Sequence, residues 1–245
     1  MHERIERELD GREVTFYKAA GEDLPVVYST EYEESGQAVL EGCAGLGCPA
    51  FHLVTIANIE WDEQLSPWPA APVVTKNDRF AGEGPAYLQW LLRRAVPEAE
   101  AALAIHNPRS YIAGYSMAGL FALWSLYETD FFQGAMCASG SLWYPGFADF
   151  AAAHALQAKP RGLYLSLGDK ESRGRNPVLR QTAAIYQRLL AGYEAQGIPV
   201  IFESNPGNHY AEVPRRVAKG LAWLLGNHRA APARDQEAKA GPVLA

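Results

Sequence analysis

A serine hemmed in by small residues, between a short apolar run and a helical pattern, constrains this chain more than any other stretch. It lies in Ile112-Ala113-Gly114-Tyr115-Ser116-Met117-Ala118-Gly119-Leu120. Residues 109–113, preceded by Asn107-Pro108, are short and end apolar, as a buried strand does. Leu120, Leu123, Trp124 and Tyr127 then recur at helical spacing. A strand that reverses straight into a helix leaves almost no room for side chains at the turn. Gly114 and Ala118 allow the backbone to close up there and hold Ser116 strained and exposed. The free N–H of Met117, at the helix N-terminus, then lies beside the serine oxygen. This is the pattern of a nucleophile elbow, although so short a motif also occurs in purely structural turns.

The surrounding pattern alternates strands and helices. Residues 3–9 and 13–19 flank Asp10-Gly11 and predict a hairpin. Strands are expected over residues 24–30, 51–59, 131–139, 161–167 and 198–203, and helices over 37–43, 87–103, 177–197 and 213–225. Pro97 suggests a break in the second of those helices, and residues 60–84 read as a long irregular excursion. Such alternation predicts one α/β domain over residues 1–227, a mainly parallel sheet with helices on both faces. The Ala/Pro/charge-rich residues 228–245 read as a flexible tail.

In parallel sheets the chemistry gathers at the carboxyl ends of strands, and the notable residues fall there. Ser116 follows one strand, Asp169 and Glu171 follow another, and His209 follows a third. A serine hydroxyl needs a base, and histidine suits that task near neutrality. Of the six histidines, His2 and His228 lie near the ends. His52 and His154 sit in or beside regular elements, and His106 just before the elbow strand. Only His209 occupies a Gly/Asn/Pro loop after the last strand, so it is the expected base. Asp169 and Glu171 compete as the carboxylate that orients it; with Lys170, Arg173 and Arg175 nearby, either also suits a surface ion pair. Trp61, Trp68, Trp143 and Tyr115 are expected to line a pocket, although each suits an ordinary core.

Charge narrows the partners. With 22 Lys+Arg against 28 Asp+Glu, the chain carries −6 and no basic cluster, which argues against nucleic acid and anionic membranes. No apolar run reaches a membrane-spanning length, and residues 1–10 are charged rather than signal-like. Cys43, Cys48 and Cys137 lack metal-ligand spacing and read as free thiols of a cytoplasmic protein. Neither metal nor cofactor is expected, and the oligomeric state is left open.

Four segments together resemble the esterase D or enterochelin-esterase-like group of α/β-hydrolases. They are GYSMAG (residues 114–119), SGSLWY (139–144), LGDKE (167–171) and GNHY (207–210), and the N-terminal hairpin and LPVVYST (24–30) match as well. The resemblance spans roughly residues 3–226. It implies an α/β-hydrolase fold with an eight-stranded sheet and a metal-independent serine esterase acting on a small-molecule ester. It also implies Glu171 rather than Asp169 as the acid, and a second oxyanion donor from the backbone N–H of Tyr32, or of Glu33, beside Met117. Two positions depart from the family pattern: Ala118 stands where glycine is usual, and Glu31-Tyr32 stand where Asp-Gly is usual. A non-catalytic binding module of the same fold and an acyltransferase are the competing readings.

Overall fold

The computed structural model describes residues 2–106, 108–173 and 176–226. The predicted tail over 228–245, His228 and Arg175 lie outside the described residues. The chain begins with a hairpin of β1 (Glu3–Leu9) and β2 (Arg12–Lys18), turned by Asp10 and Gly11, both at positive φ. There follow β3 (Val26–Thr30), α1 (Gly36–Gly45), β4 (His52–Ala57), the short α2 (Trp61–Gln64) and α3 (Gly84–Trp90). A π-helical turn, Leu91–Ala95, joins α3 to α4 (Val96–Leu103). Next come β5 (Ser110–Tyr115), α5 (Met117–Glu128), β6 (Gly134–Ala138) and α6 (Phe147–Ala153). The chain then runs through β7 (Gly162–Gly168), α7 (Thr182–Ala195), β8 (Val200–Asn205) and α8 (Val213–Gly226).

The strands form one eight-stranded sheet in the order β1-β2-β4-β3-β5-β6-β7-β8. Only the β1–β2 and β2–β4 pairings are antiparallel. This is the expected α/β architecture, with the hairpin at one edge. Side chains alternate across the sheet, so each strand feeds two cores. Tyr28, Ile112, Cys137 and Leu165 pack on the face that carries α5. Val27, Ala113, Met136 and Tyr164 pack on the face covered by α1 and α8.

Two differences from the sequence reading have clear causes. The predicted break at Pro97 does not occur, because the π-helical turn re-phases the ladder just before the proline, which then sits in the first turn of α4. The sequence reading assigns nothing between Tyr144 and Arg161, yet α6 forms there. Its seven residues bury only Phe147 and Ala151, too few to show a helical period. The excursion over 60–84 is tied down by buried Leu65 and Phe80 and by a bridge between Pro69 and Ala81. None of the described helices is long and apolar enough to cross a membrane.

Candidate active site

Ser116 sits between β5 and α5 at φ 58° and ψ −124°, a conformation that costs a non-glycine residue energy unless its surroundings enforce it. The surroundings do so. A Cβ on Gly114 would lie 2.2 Å from the carbonyl carbon and oxygen of Ala118, so only glycine lets the turn close. Ser116 O also accepts from Leu120 N at 3.1 Å and from Ser141 N at 2.9 Å, which fixes the peptide from both sides. The serine is half-buried rather than fully exposed, and Met117 begins α5 directly behind it.

Three strand ends converge on this serine. The ring of His209, from the loop after β8, places Nε2 3.1 Å from Ser116 Oγ. Its Nδ1 lies 2.8 Å from Oε2 of Glu171, which follows β7. A carboxylate only accepts, so Nδ1 carries the ring proton and Nε2 is free to accept from the hydroxyl. Burial opposes ionisation of Glu171, but hydrogen bonds from His209, Ser139 and the Gly168 N–H outweigh it and hold the carboxyl below its ordinary value. Glu171 Oε1 accepts from Ser139 Oγ and Gly168 N, both at 2.7 Å, and from Arg216 Nη1 at 3.1 Å.

The competing carboxylate does not reach the histidine. Asp169 Oδ1 accepts from Gly207 N at 2.8 Å and so pins the loop that carries His209. It sits two residues before Glu171 and is turned to the loop after β8 rather than to the His209 ring. The other described histidines stand apart; His52, for instance, is buried in β4 and accepts from Ala19 N.

Two cavities open on either side of Ser116 and His209. The larger, about 640 Å³, is walled by Tyr32, Trp61, Tyr115, Tyr210, Val213 and Val217. The smaller, about 370 Å³, is walled by Trp61, Phe80, Trp143, Lys170 and Leu179. Both volumes lie within the range of small-ligand sites. Trp61, Trp143 and Tyr115 therefore border these cavities. Trp68 does not: its Nε1 donates to Pro145 O at 2.9 Å and its ring packs on Phe150 at 5.1 Å. Its role is to dock the 60–84 excursion onto α6, a helix invisible in the sequence.

Tyr32 follows the end of β3, whose last pairing with β5 is Thr30 with Gly114, and it lines the larger cavity together with Ser116. Its exposed ring turns outward and meets Trp61. The preceding Glu31 is buried, and its carboxylate accepts from Ser35 N at 2.7 Å. Burial, only partly offset by the hydrogen bonds from Ser35, raises that carboxyl to about 7.

Sequence reasoning missed Arg216, whose guanidinium is buried behind Glu171. The signal was present: Arg216 lies four and eight residues before Gly220 and Leu224, on the buried stripe of α8. A charge on an apolar stripe marks a buried partner.

No family model matches the chain. Among curated proteins it is similar to the uncharacterized protein YbbA of Bacillus subtilis (strain 168), at 24% identity over 247 residues, spanning 91% of this chain and 96% of that one. Among solved structures it is similar to an IroE-like serine hydrolase from Shewanella oneidensis, with a TM-score of 0.73 and 16% identity over 92% of this chain and 80% of the other. The siderophore hydrolase EstB from Aspergillus nidulans gives 0.70 and 17% identity over 93% of this chain and 96% of the other. Identities this low speak for the fold. In fold the chain is similar to the IroE-like and siderophore-esterase branch of the serine hydrolases, in keeping with the enterochelin-esterase-like α/β-hydrolases that its motifs resemble.

Proposed function

We propose that this protein is a serine hydrolase that cleaves carboxylic esters of a small molecule through an acyl-enzyme on Ser116. The observation that carries the reading is the unbroken chain Ser116 Oγ, His209 Nε2 and Nδ1, Glu171 Oε2, with contacts of 3.1 and 2.8 Å. His209 accepts the hydroxyl proton as Ser116 Oγ attacks the ester carbonyl. The N–H groups of Met117 and Tyr32 receive the oxyanion. The C–O bond breaks, the alcohol leaves with the proton from His209, and water releases the acid by the same steps in reverse order of partners. Side chains, backbone and water suffice for this sequence.

The two cavities suit a substrate with a bulky group on each side of the scissile bond. The siderophore hydrolase EstB is among the structural neighbours, which supports a siderophore-like ester as substrate here. The three free cysteines fit a reducing compartment, and we place the enzyme in the cytoplasm on that ground.

A fluorophosphonate probe tests the reading. Labelling should vanish in Ser116→Ala and survive in Ser141→Ala, although Ser141 Oγ lies only 3.5 Å from Ser116 Oγ. On a p-nitrophenyl ester panel, Ser116→Ala and His209→Ala should each lose turnover by roughly 10⁴-fold or more. Folded wild-type protein that neither labels nor hydrolyses would favour a non-catalytic binding module.

A further inference from the structure

Arg216 is the one fully buried cation among the described side chains of the core, and no chemistry derived above uses it. Its two terminal nitrogens touch the segments that carry Ser116, Glu171 and His209. Nη1 lies 3.1 Å from Glu171 Oε1, 3.1 Å from Ser139 Oγ and 3.0 Å from Tyr115 Oη, so its two N–H bonds are shared among three acceptors. Nη2 donates to Pro206 O at 2.9 Å and Asn208 O at 3.0 Å, the carbonyls that bracket the turn leading to His209. Tyr115 precedes the nucleophile in the chain, and its hydroxyl donates in turn to His209 O at 2.6 Å. One planar fork thus ties the ends of β5, β6, β7 and β8 together.

We propose that Arg216 is a positioning residue for the reaction: it sets the charge and orientation of Glu171 and, through Tyr115 and the 206–208 carbonyls, the height of the His209 ring over Ser116. The inference rests on the hydrolase reading above. A buried cation 3.1 Å from Oε1 favours the carboxylate, alongside the hydrogen bonds from His209, Ser139 and Gly168, and leaves Oε2 as the face open to the imidazole. The two terminal NH2 groups of a planar guanidinium aim four N–H bonds in fixed directions, and an ammonium has only three in another geometry. Tyr115 is accordingly more than a pocket wall, since its hydroxyl is spent on this network while its ring faces the larger cavity.

The test compares Arg216→Met, Arg216→Lys and Tyr115→Phe with wild type in kcat, KM and pH profile. Arg216→Met should lower kcat about 10–100-fold, the range for losing an outer partner of a tuned group, with KM changed less than about threefold. The charged and titratable groups facing Glu171 are His209, Tyr115 and Tyr186, with Lys170 beside it in the turn. Removing the Arg216 cation from this set leaves the Glu171–His209 pair more negative and better able to retain a proton. The acid limb of kcat/KM against pH should therefore move to higher pH in Arg216→Met and stay near wild type in Arg216→Lys. Lower stability would instead scale activity down equally at every pH.

Where Arg216→Met does not fold, as judged by circular dichroism, Arg216→Lys and Tyr115→Phe carry the test through a reduced kcat at unchanged KM. Variants matching wild type in kcat and in the acid limb overturn the proposal, as does activity that merely follows the folded fraction. His209→Ala measured alongside separates the two readings. If it is as active as wild type, the hydrolase assignment itself has failed.

Discussion

The ring of Tyr32 meets the indole of Trp61 edge-on, with centroids 5.5 Å apart and planes at 88°, at the mouth shared by the two cavities. Trp61 borders both cavities, so it bounds both halves of any ester held over Ser116. Trp61→Ala should raise KM about tenfold while leaving kcat within about threefold, because it removes binding that is equal in ground and transition states. Steady-state kinetics on a bulky and a minimal ester would check this. The effect should shrink with the minimal one.

The two carboxylates after β7 should separate cleanly. Glu171→Gln removes the charge that orients and stabilises the imidazole, and turnover should fall by roughly 10²–10⁴-fold. Asp169→Asn keeps an oxygen for the Gly207 N–H and should stay within about threefold of wild type. Parallel kcat measurements decide between them, and equal losses would contradict the geometry.

Glu31 makes stability depend on pH. Its carboxyl ionises near 7 in the fold, against a usual value of 4.5. As pH rises through that window the unfolded chain sheds its proton first, so the folded state loses stability, by roughly 3 kcal/mol in all. Glu31→Gln keeps the acceptor for Ser35 N and cannot ionise. Between pH 5 and pH 8 the wild-type Tm should fall roughly 4–10 °C further than that of the variant. Scanning calorimetry at the two pH values reads the difference directly.

The elbow tolerates little. Gly114→Ala would thrust a methyl group against the Ala118 carbonyl, and the turn cannot yield without moving Ser116. Loss of several °C in Tm together with activity is expected, beyond the ~1–3 kcal/mol of ordinary overpacking. Ala118→Gly, by contrast, restores the residue usual in similar elbows and should leave turnover nearly unchanged.

Much of this could be read from residues alone because local rules and global fold agree there. Apolar runs gave β5, β6 and β7 within a few residues, and the elbow fixed where a strand must end. His209 was legible through its Gly/Asn/Pro loop. The choice between Asp169 and Glu171 was not, because it depends on which way the turn after Gly168 directs each side chain, and both residues share that turn. Trp68 was misplaced for a related reason. Its partner α6 is seven residues of alanine, phenylalanine and aspartate with no stripe to see. Arg216 was overlooked because an arginine in an amphipathic helix is ordinarily solvated, and only its phase against Val217, Gly220 and Leu224 marks it as buried.

The packing of α8 on α1 bears on how the chain is made. Cys43 Sγ lies 3.8 Å from Ala218 O, and a Cβ on Gly42 would come within 2.9 Å of that of Ala218, so helices some 175 residues apart close over one face of the sheet. A ribosome delivers the chain from the amino end, and that apolar face stays wet until the distal helix emerges. Late burial over so long a sequence separation favours slow maturation.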